Sequence, residues 1–188
     1  MTVRIRKDGS AGSLAGAVEE MTGVELGACF QCRKCTCGCP VVEEVDLLPN
    51  QILRLVQFGQ RDEVLRSRAI WLCLSCETCT QRCPNGVGLA EVFDYLRFAA
   101  LREGIEPAEP RVAMFHRSFL ETIRKYGRSH EIDMIRRYKM KSGTWLDNMA
   151  LGMDMFRKGK IKLAGTKVRD LESVREIMDR DRGAKGRG

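Results

Sequence analysis

A chain of 188 residues has room for one domain or two small ones. With 44% hydrophobic and 30% charged residues its composition is globular rather than disordered, and with 6% aromatics its core has to be mostly aliphatic. Lys and Arg total 32 against 25 Asp and Glu, a formal charge of +7 if every cysteine counts as a neutral thiol. The N-terminal stretch MTVRIRKDGSAGSLAGAV is basic but lacks an apolar centre. The longest apolar run, Ala69 to Leu74, falls far short of the roughly 18 residues of a membrane span. Neither a secretory signal nor an integral membrane protein is expected. Nine cysteines would leave one unpaired in a closed disulfide framework, so a cytoplasmic metal-binding protein is the better expectation.

In chain order, Ser13 is placed to cap a short helix through Met21. Cys29, Cys32, Cys35, Cys37 and Cys39 then fall within CFQCRKCTCGCP, and Cys73, Cys76, Cys79 and Cys83 within CLSCETCTQRCP. The two runs form an internal repeat: Cys29, Cys32, Cys35, Cys39 and Pro40 recur 44 positions later, ending at Cys83 and Pro84. The offset continues downstream. Val45, Leu48, Ile52, Leu55 and Val56 match Leu89, Val92, Leu96, Ala99 and Ala100, both at helical spacing. Each repeat thus reads as a cysteine loop followed by an amphipathic helix. Pro49 is tolerated in a first turn, and Gly59 and Gly104 mark helix ends. A helical turn or two is expected over 62–68. Further on, Val112, Phe115, Phe119, Ile123 and Tyr126 share a helix face, and shorter helical patterns follow at 131–140 and 171–178. No stretch shows β alternation, so the fold class is all-α. The expected divisions are an N-terminal segment over 1–27, a two-cluster domain over 28–104 and a helical extension over 105–188. The termini, 1–12 and about 180–188, are expected to be disordered.

Cys-x2-Cys-x2-Cys-x3-Cys-Pro is the spacing of bacterial-type [4Fe-4S] ferredoxins, in which the fourth cysteine of each run serves the other cluster. A tight loop wraps three corners of a cube, and the fourth corner faces a distant part of the chain. One cluster is therefore assigned to Cys29, Cys32, Cys35 and Cys83, and the other to Cys73, Cys76, Cys79 and Cys39. Two four-cysteine zinc sites are the alternative, although zinc ribbons pair Cys-x2-Cys knuckles across a longer gap. Each oxidised cube with four thiolates carries about −2, so two of them take +7 to about +3. Arg33, Lys34 and Arg82 lie inside the runs, where they either tune the clusters or are solvated. Cys37 is outside the motif, and Gln81 stands at its matching place; it is a spare thiol in this reading. His116 and His130 receive no role, and no catalytic residue is expected.

The two runs, each with its apolar helix, resemble the helical ferredoxin module. That module occurs in iron-sulfur subunits of succinate dehydrogenase, fumarate reductase, glycolate oxidase and glycerol-3-phosphate dehydrogenase. The length, the short helical N-terminus, the segment WLCLSCETCTQRCPNGVGLAEVF and the helical extension are most similar to the C-type subunits of soluble heterodisulfide reductases. The resemblance implies a helical ferredoxin core with two [4Fe-4S] clusters. It implies relay of electrons from an A-type subunit bearing flavin and iron-sulfur centres. They would pass to a catalytic B-type subunit with Cys-Cys-Gly motifs, which reduces the coenzyme M–coenzyme B heterodisulfide or a related disulfide, in what can be a larger dimeric assembly. This chain has neither a Cys-Cys pair nor a Gly-x-Gly-x-x-Gly. Three alternatives remain. The first is an iron-sulfur subunit of another flavin-dependent dehydrogenase. The second is a zinc-stabilised nucleic-acid module drawing on IRRYKMK and FRKGKIK, which lacks interleaved aromatics for base stacking. The third is a cluster sensor. The methionines concentrated after residue 110 suit an adaptable interface with partner proteins as well as a plain helical core.

Overall fold

The computed structural model describes residues 13–143, 153–155, 157–158 and 167–183. Residues 1–12 and 184–188, for which disorder is expected, lie outside the described residues; positions 180–183 belong to a helix. Among the described residues the secondary structure is entirely helical, with no strand. The chain divides into two compact units, Met1–Pro110 and Arg111–Gly188.

In the first unit, α1 (Leu14–Thr22) starts where Ser13 leaves extended backbone and its Oγ accepts the Gly16 N–H at 3.1 Å. A 3₁₀ turn, Leu26–Ala28, leads into the first cysteine run and the short helix α2 (Lys34–Cys37). Helix α3 (Pro49–Gln57) follows, then α4 (Arg61–Leu65) and α5 (Ala69–Leu72). The second run holds α6 (Thr78–Gln81), and α7 (Leu89–Arg102) closes the unit. Both long repeat helices end as expected. Gly59 and Gly104 take left-handed φ of 66° and 69°, and the next amides, of Gln60 and Ile105, reach back to the Leu55 and Ala100 carbonyls.

The first repeat helix starts later than its apolar pattern suggests. Val45 and Leu48 precede α3; Leu48 is its N-cap at ψ 150°, extended as the residue before a proline must be, and Pro49 is the first helical residue. Gln51 Oε1 accepts the Leu48 N–H at 2.8 Å and completes that start. The matching helix α7 lacks a proline and runs from Leu89 as expected. The core is aliphatic: Val18, Ile52, Val56, Val64, Leu65, Ile70 and Leu96 are fully buried, with Trp71 beside them. Each such side chain contributes on the order of 1.5–3 kcal/mol. Helix α1 packs on α7 and α3, while α2 and α6 pack on each other.

The second unit contains α8 (Pro110–Tyr126), α9 (Glu131–Ser142) and α10 (Leu171–Gly183). The apolar face expected on α8 exists, but its phenylalanines are not its buried side. Phe115 and Phe119 are 42% and 38% exposed, and the residues fully buried on this helix are Ser118 and Thr122. Among the methionines, Met140 and Met153 are exposed; Met149 lies outside the described residues. At the end of α8, Gly127 adopts φ 76°, and a Cβ there would come within 2.0 Å of Val168. The Val168 N–H bonds the Tyr126 carbonyl at 2.9 Å, so this close approach requires glycine.

Candidate iron-sulfur site

The 44-residue repeat is visible in the backbone itself. Among the described residues only four non-glycine positions have positive φ, and they form two matched pairs: Gln31 (54°) with Ser75 (48°), and Arg33 (65°) with Glu77 (58°). Arg33 and Glu77 are the N-caps of α2 and α6. Left-handed backbone is unfavourable for such residues, so both loops are held in shape by their surroundings. Backbone amides point at cysteine sulfur in both runs: the Gln31 N–H, inside the first Cys-x2-Cys turn, lies 3.4 Å from Cys29 Sγ, and the Val87 N–H, just after the second run, lies 3.3 Å from Cys83 Sγ.

The cysteines surround two cavities, both open to solvent. Cys29, Cys32, Cys35 and Cys83 line the first; Cys39, Cys73, Cys76 and Cys79 line the second, and Cys79 also touches the first. The second cavity thus draws three cysteines from its own run and the last of the other, and the first draws three from its own run together with Cys83 and the shared Cys79. Cys37 is exposed and lines neither.

Polar side chains fasten the crossing. Asn85, just past the second run, donates through Nδ2 to the Ala28 carbonyl just before the first. Asp46 accepts from Ser67 Oγ at 2.7 Å and from the Arg68 and Ala69 amides at 2.8 and 2.9 Å, tying the segment after the first run to the start of α5. Burial works to raise the Asp46 pKa, but these donors outweigh it and hold the carboxyl below its ordinary range. Behind the second loop, Arg97 donates to the Cys73 carbonyl at 3.1 Å and to Ser75 Oγ at 2.8 Å, and pairs with Asp94. The matching residue of the first repeat is Leu53, which lines the first cavity. Gly38 and Arg82, also 44 apart, meet: a Cβ on Gly38 would lie 2.6 Å from Arg82 Cδ. The Arg82 chain therefore crosses where the first loop has no side chain. Arg33 and Lys34 stand at the lining of the first cavity.

Burial pushes the Cys35 and Cys73 thiols up, and Cys79 up to about 11. Thr78, its hydroxyl 3.4 Å from Cys76 Sγ, holds that exposed thiol below its usual value. A positive centre beside the buried Cys35, Cys73 and Cys79 sulfurs would favour their thiolate forms against this burial. Among the described residues no three Cys, His, Asp or Glu side chains are placed to hold a single metal ion. A zinc site needs four donors about 2.3 Å from one ion, whereas a cube spreads its thiolates over four corners. The residues present fit a cube in each cavity. Of the two basic stretches that support a nucleic-acid reading, most of FRKGKIK lies outside the described residues, and IRRYKMK is engaged in ion pairs within the chain. Arg136 and Arg137 bind Asp133, and Arg137 and Lys141 bind Glu121.

Sequence reasoning located the cysteines but missed Asp46, Asn85 and Arg97. Asn85 directly follows the Cys-Pro pair and is the one with a visible signal; the partners of Asp46 and Arg97 lie 21–24 residues away.

A family model described as a 4Fe-4S dicluster domain matches residues 25–87. The C-type iron-sulfur polypeptide of the CoB–CoM heterodisulfide reductase of Methanopyrus kandleri is 37% identical over 98 residues, covering 52% of this chain and 51% of that protein. The C-type polypeptide of the H(2):CoB-CoM heterodisulfide,ferredoxin reductase of Methanothermobacter thermautotrophicus is 32% identical over 112 residues, covering 59% of this chain and 60% of that protein. Its counterpart in the ferredoxin:CoB-CoM heterodisulfide reductase of Methanosarcina mazei is 31% identical over 116 residues, covering 62% of this chain and 68% of that protein. The matched part thus spans between half and about two thirds of these relatives. No described helix is long and apolar enough to cross a membrane. With its duplicated cysteine loops and paired cavities, the chain belongs to the family of C-type heterodisulfide reductase subunits, iron-sulfur proteins with two [4Fe-4S] clusters.

Proposed function

We propose that the chain is the non-catalytic electron-transfer component of a cytoplasmic heterodisulfide reductase complex. In this reading Cys29, Cys32, Cys35 and Cys83 hold one cluster, and Cys73, Cys76, Cys79 and Cys39 hold the other. Electrons enter from an A-type flavin subunit and leave to a B-type subunit that reduces the coenzyme M–coenzyme B heterodisulfide or a related disulfide. The observation that carries the reading is the crossed lining of the two cavities, with Cys79 common to both.

When bound, the clusters supply reversible one-electron storage. The chain's own residues do the rest. The left-handed pairs Gln31/Ser75 and Arg33/Glu77 shape the loops. Asn85 and Asp46 fix each run against the other, and Val41, Val45, Leu47 and Phe93 keep water from one side of the second cavity. The shared Cys79 wall keeps the two centres adjacent, as a relay requires.

Anaerobic purification tests this directly. About eight irons and a matching amount of labile sulfide per chain are expected, together with co-purification of a chain carrying Cys-Cys-Gly repeats. Zinc without iron would overturn the assignment. A flavoprotein partner of the glycolate, glycerol-3-phosphate or succinate/fumarate type would move the chain to that class of dehydrogenase.

A further inference from the structure

The two cluster mouths share one backbone but not one chemistry. In each repeat the residue after the first cysteine is a large hydrophobe left in water: Phe30 is 76% exposed and Leu74 is 64% exposed. Three positions on, at the same left-handed N-cap, the first repeat has Arg33 and the second has Glu77; the next residues are Lys34 and Thr78. Gln31, Arg33, Lys34, Asn50 and Asn85 join the cysteines of the first cavity. Apart from its cysteines, the lining of the second is almost entirely apolar.

We propose that the exposed face of Phe30, Arg33 and Lys34 docks a redox partner that presents acidic side chains around its own electron-transfer centre. This rests on the two-cluster reading above. A cube with four thiolates contributes about −2. Arg33 and Lys34 offset that charge at the first mouth, while Glu77 adds to it at the second, a difference of about three charges between otherwise matched openings. An acidic rim is admitted at the first mouth and repelled at the second, so discrimination comes from repulsion as much as from attraction. Phe30, exposed at the same cavity as Arg33 and Lys34, supplies an apolar anchor beside the two cations.

The test uses the full chain with both clusters, reduced anaerobically, and two outer-sphere oxidants of opposite charge, anthraquinone disulfonate and hexaammineruthenium(III). Each electron leaves a reduced cluster and reduces the probe. At low ionic strength, Arg33→Asn combined with Lys34→Gln is expected to slow oxidation by the anionic probe about tenfold without slowing the cationic one. Glu77→Lys is expected to speed the anionic probe. Added salt should erase both effects as the Debye length falls to roughly 3 Å at 1 M. A second readout needs no variant: an anionic dysprosium chelate should enhance the EPR relaxation of one reduced cluster more than the other, and the double variant should remove that preference. Equal relaxation of the two clusters in the unmodified chain, or unchanged anionic rates in variants with full iron content, would overturn the docking assignment. An unmodified chain without two clusters would instead overturn the function it rests on.

Discussion

The two units reach stability by opposite routes. The cysteine unit buries Val18, Ile52, Val56, Val64, Leu65, Ile70 and Leu96 completely and leaves its charged groups outside. The C-terminal unit buries Ser118, Thr122 and Asp133, and leaves Phe115, Phe119, Leu120, Ile135 and Met140 in water. Ion pairs link its helices. Asp133 accepts from Lys125, Arg136 and Arg137 at 3.0–3.2 Å while its own amide is capped by His130 Nδ1 at 3.1 Å. Arg124 makes two contacts to Asp179. The difference teaches where rigidity is needed. Strained loops around a cofactor need a packed apolar support, whereas a helical extension held by charge pairs responds to salt and pH.

Three changes sharpen that contrast. The largest effect is expected at the crossed cysteines. Cys83→Ser should remove the cluster of the first cavity and Cys39→Ser that of the second, each lowering iron content to about half, read by iron analysis and EPR. If either change leaves both clusters intact, the crossed assignment is wrong. Next, Leu96→Ala should destabilise the cysteine unit by about 2–5 kcal/mol through the cavity it leaves. The C-terminal unit should be spared, as seen by hydrogen exchange resolved along the chain.

The smallest effect concerns Asp133. Burial acts to raise its pKa, but Arg136, Arg137 and Lys125 outweigh that and hold it at about 2, down from 3.8. A depressed carboxyl contributes stability that is present above its unfolded value and lost as the pH falls through the folded one. Acidification from about pH 4 toward 2 should therefore loosen the C-terminal unit, and Asp133→Asn should weaken that dependence, leaving the part carried by Glu121, which Lys141 and Arg137 also hold below its ordinary value. The partners are substantially exposed, so the loss at neutral pH should be only about 1–2 kcal/mol. Protection factors of α9 amides against pH provide the measurement. A wild-type profile matching that of the variant would show that the charge network is inert.

Much of this was legible in the residues. The cysteine spacing, the Ser13 cap, the glycine stops and the whole of α7 follow from local patterns, because each depends on neighbours a few positions apart, and the 44-residue offset is legible by laying one run against the other. The late start of α3 was half visible. Pro49 announced it, but the pull of Asp46 toward Ser67, Arg68 and Ala69 is a contact across more than 20 residues. Arg97 reads as one more cation on an amphipathic helix, and nothing local shows that its guanidinium reaches the Cys73 loop. The outward phenylalanines of α8 mark a different limit. Periodicity finds a helix face but does not say which side will be covered.

The interleaving of the two runs also bears on how the protein is made. Neither cavity has its full complement of sulfurs until the second run is emerging from the ribosome: the second cavity is complete at Cys79 and the first only at Cys83. A nascent chain stopped short of Cys79 offers thiols but no finished receptacle. Neither receptacle is therefore complete until both halves of the duplication have been synthesised and brought together.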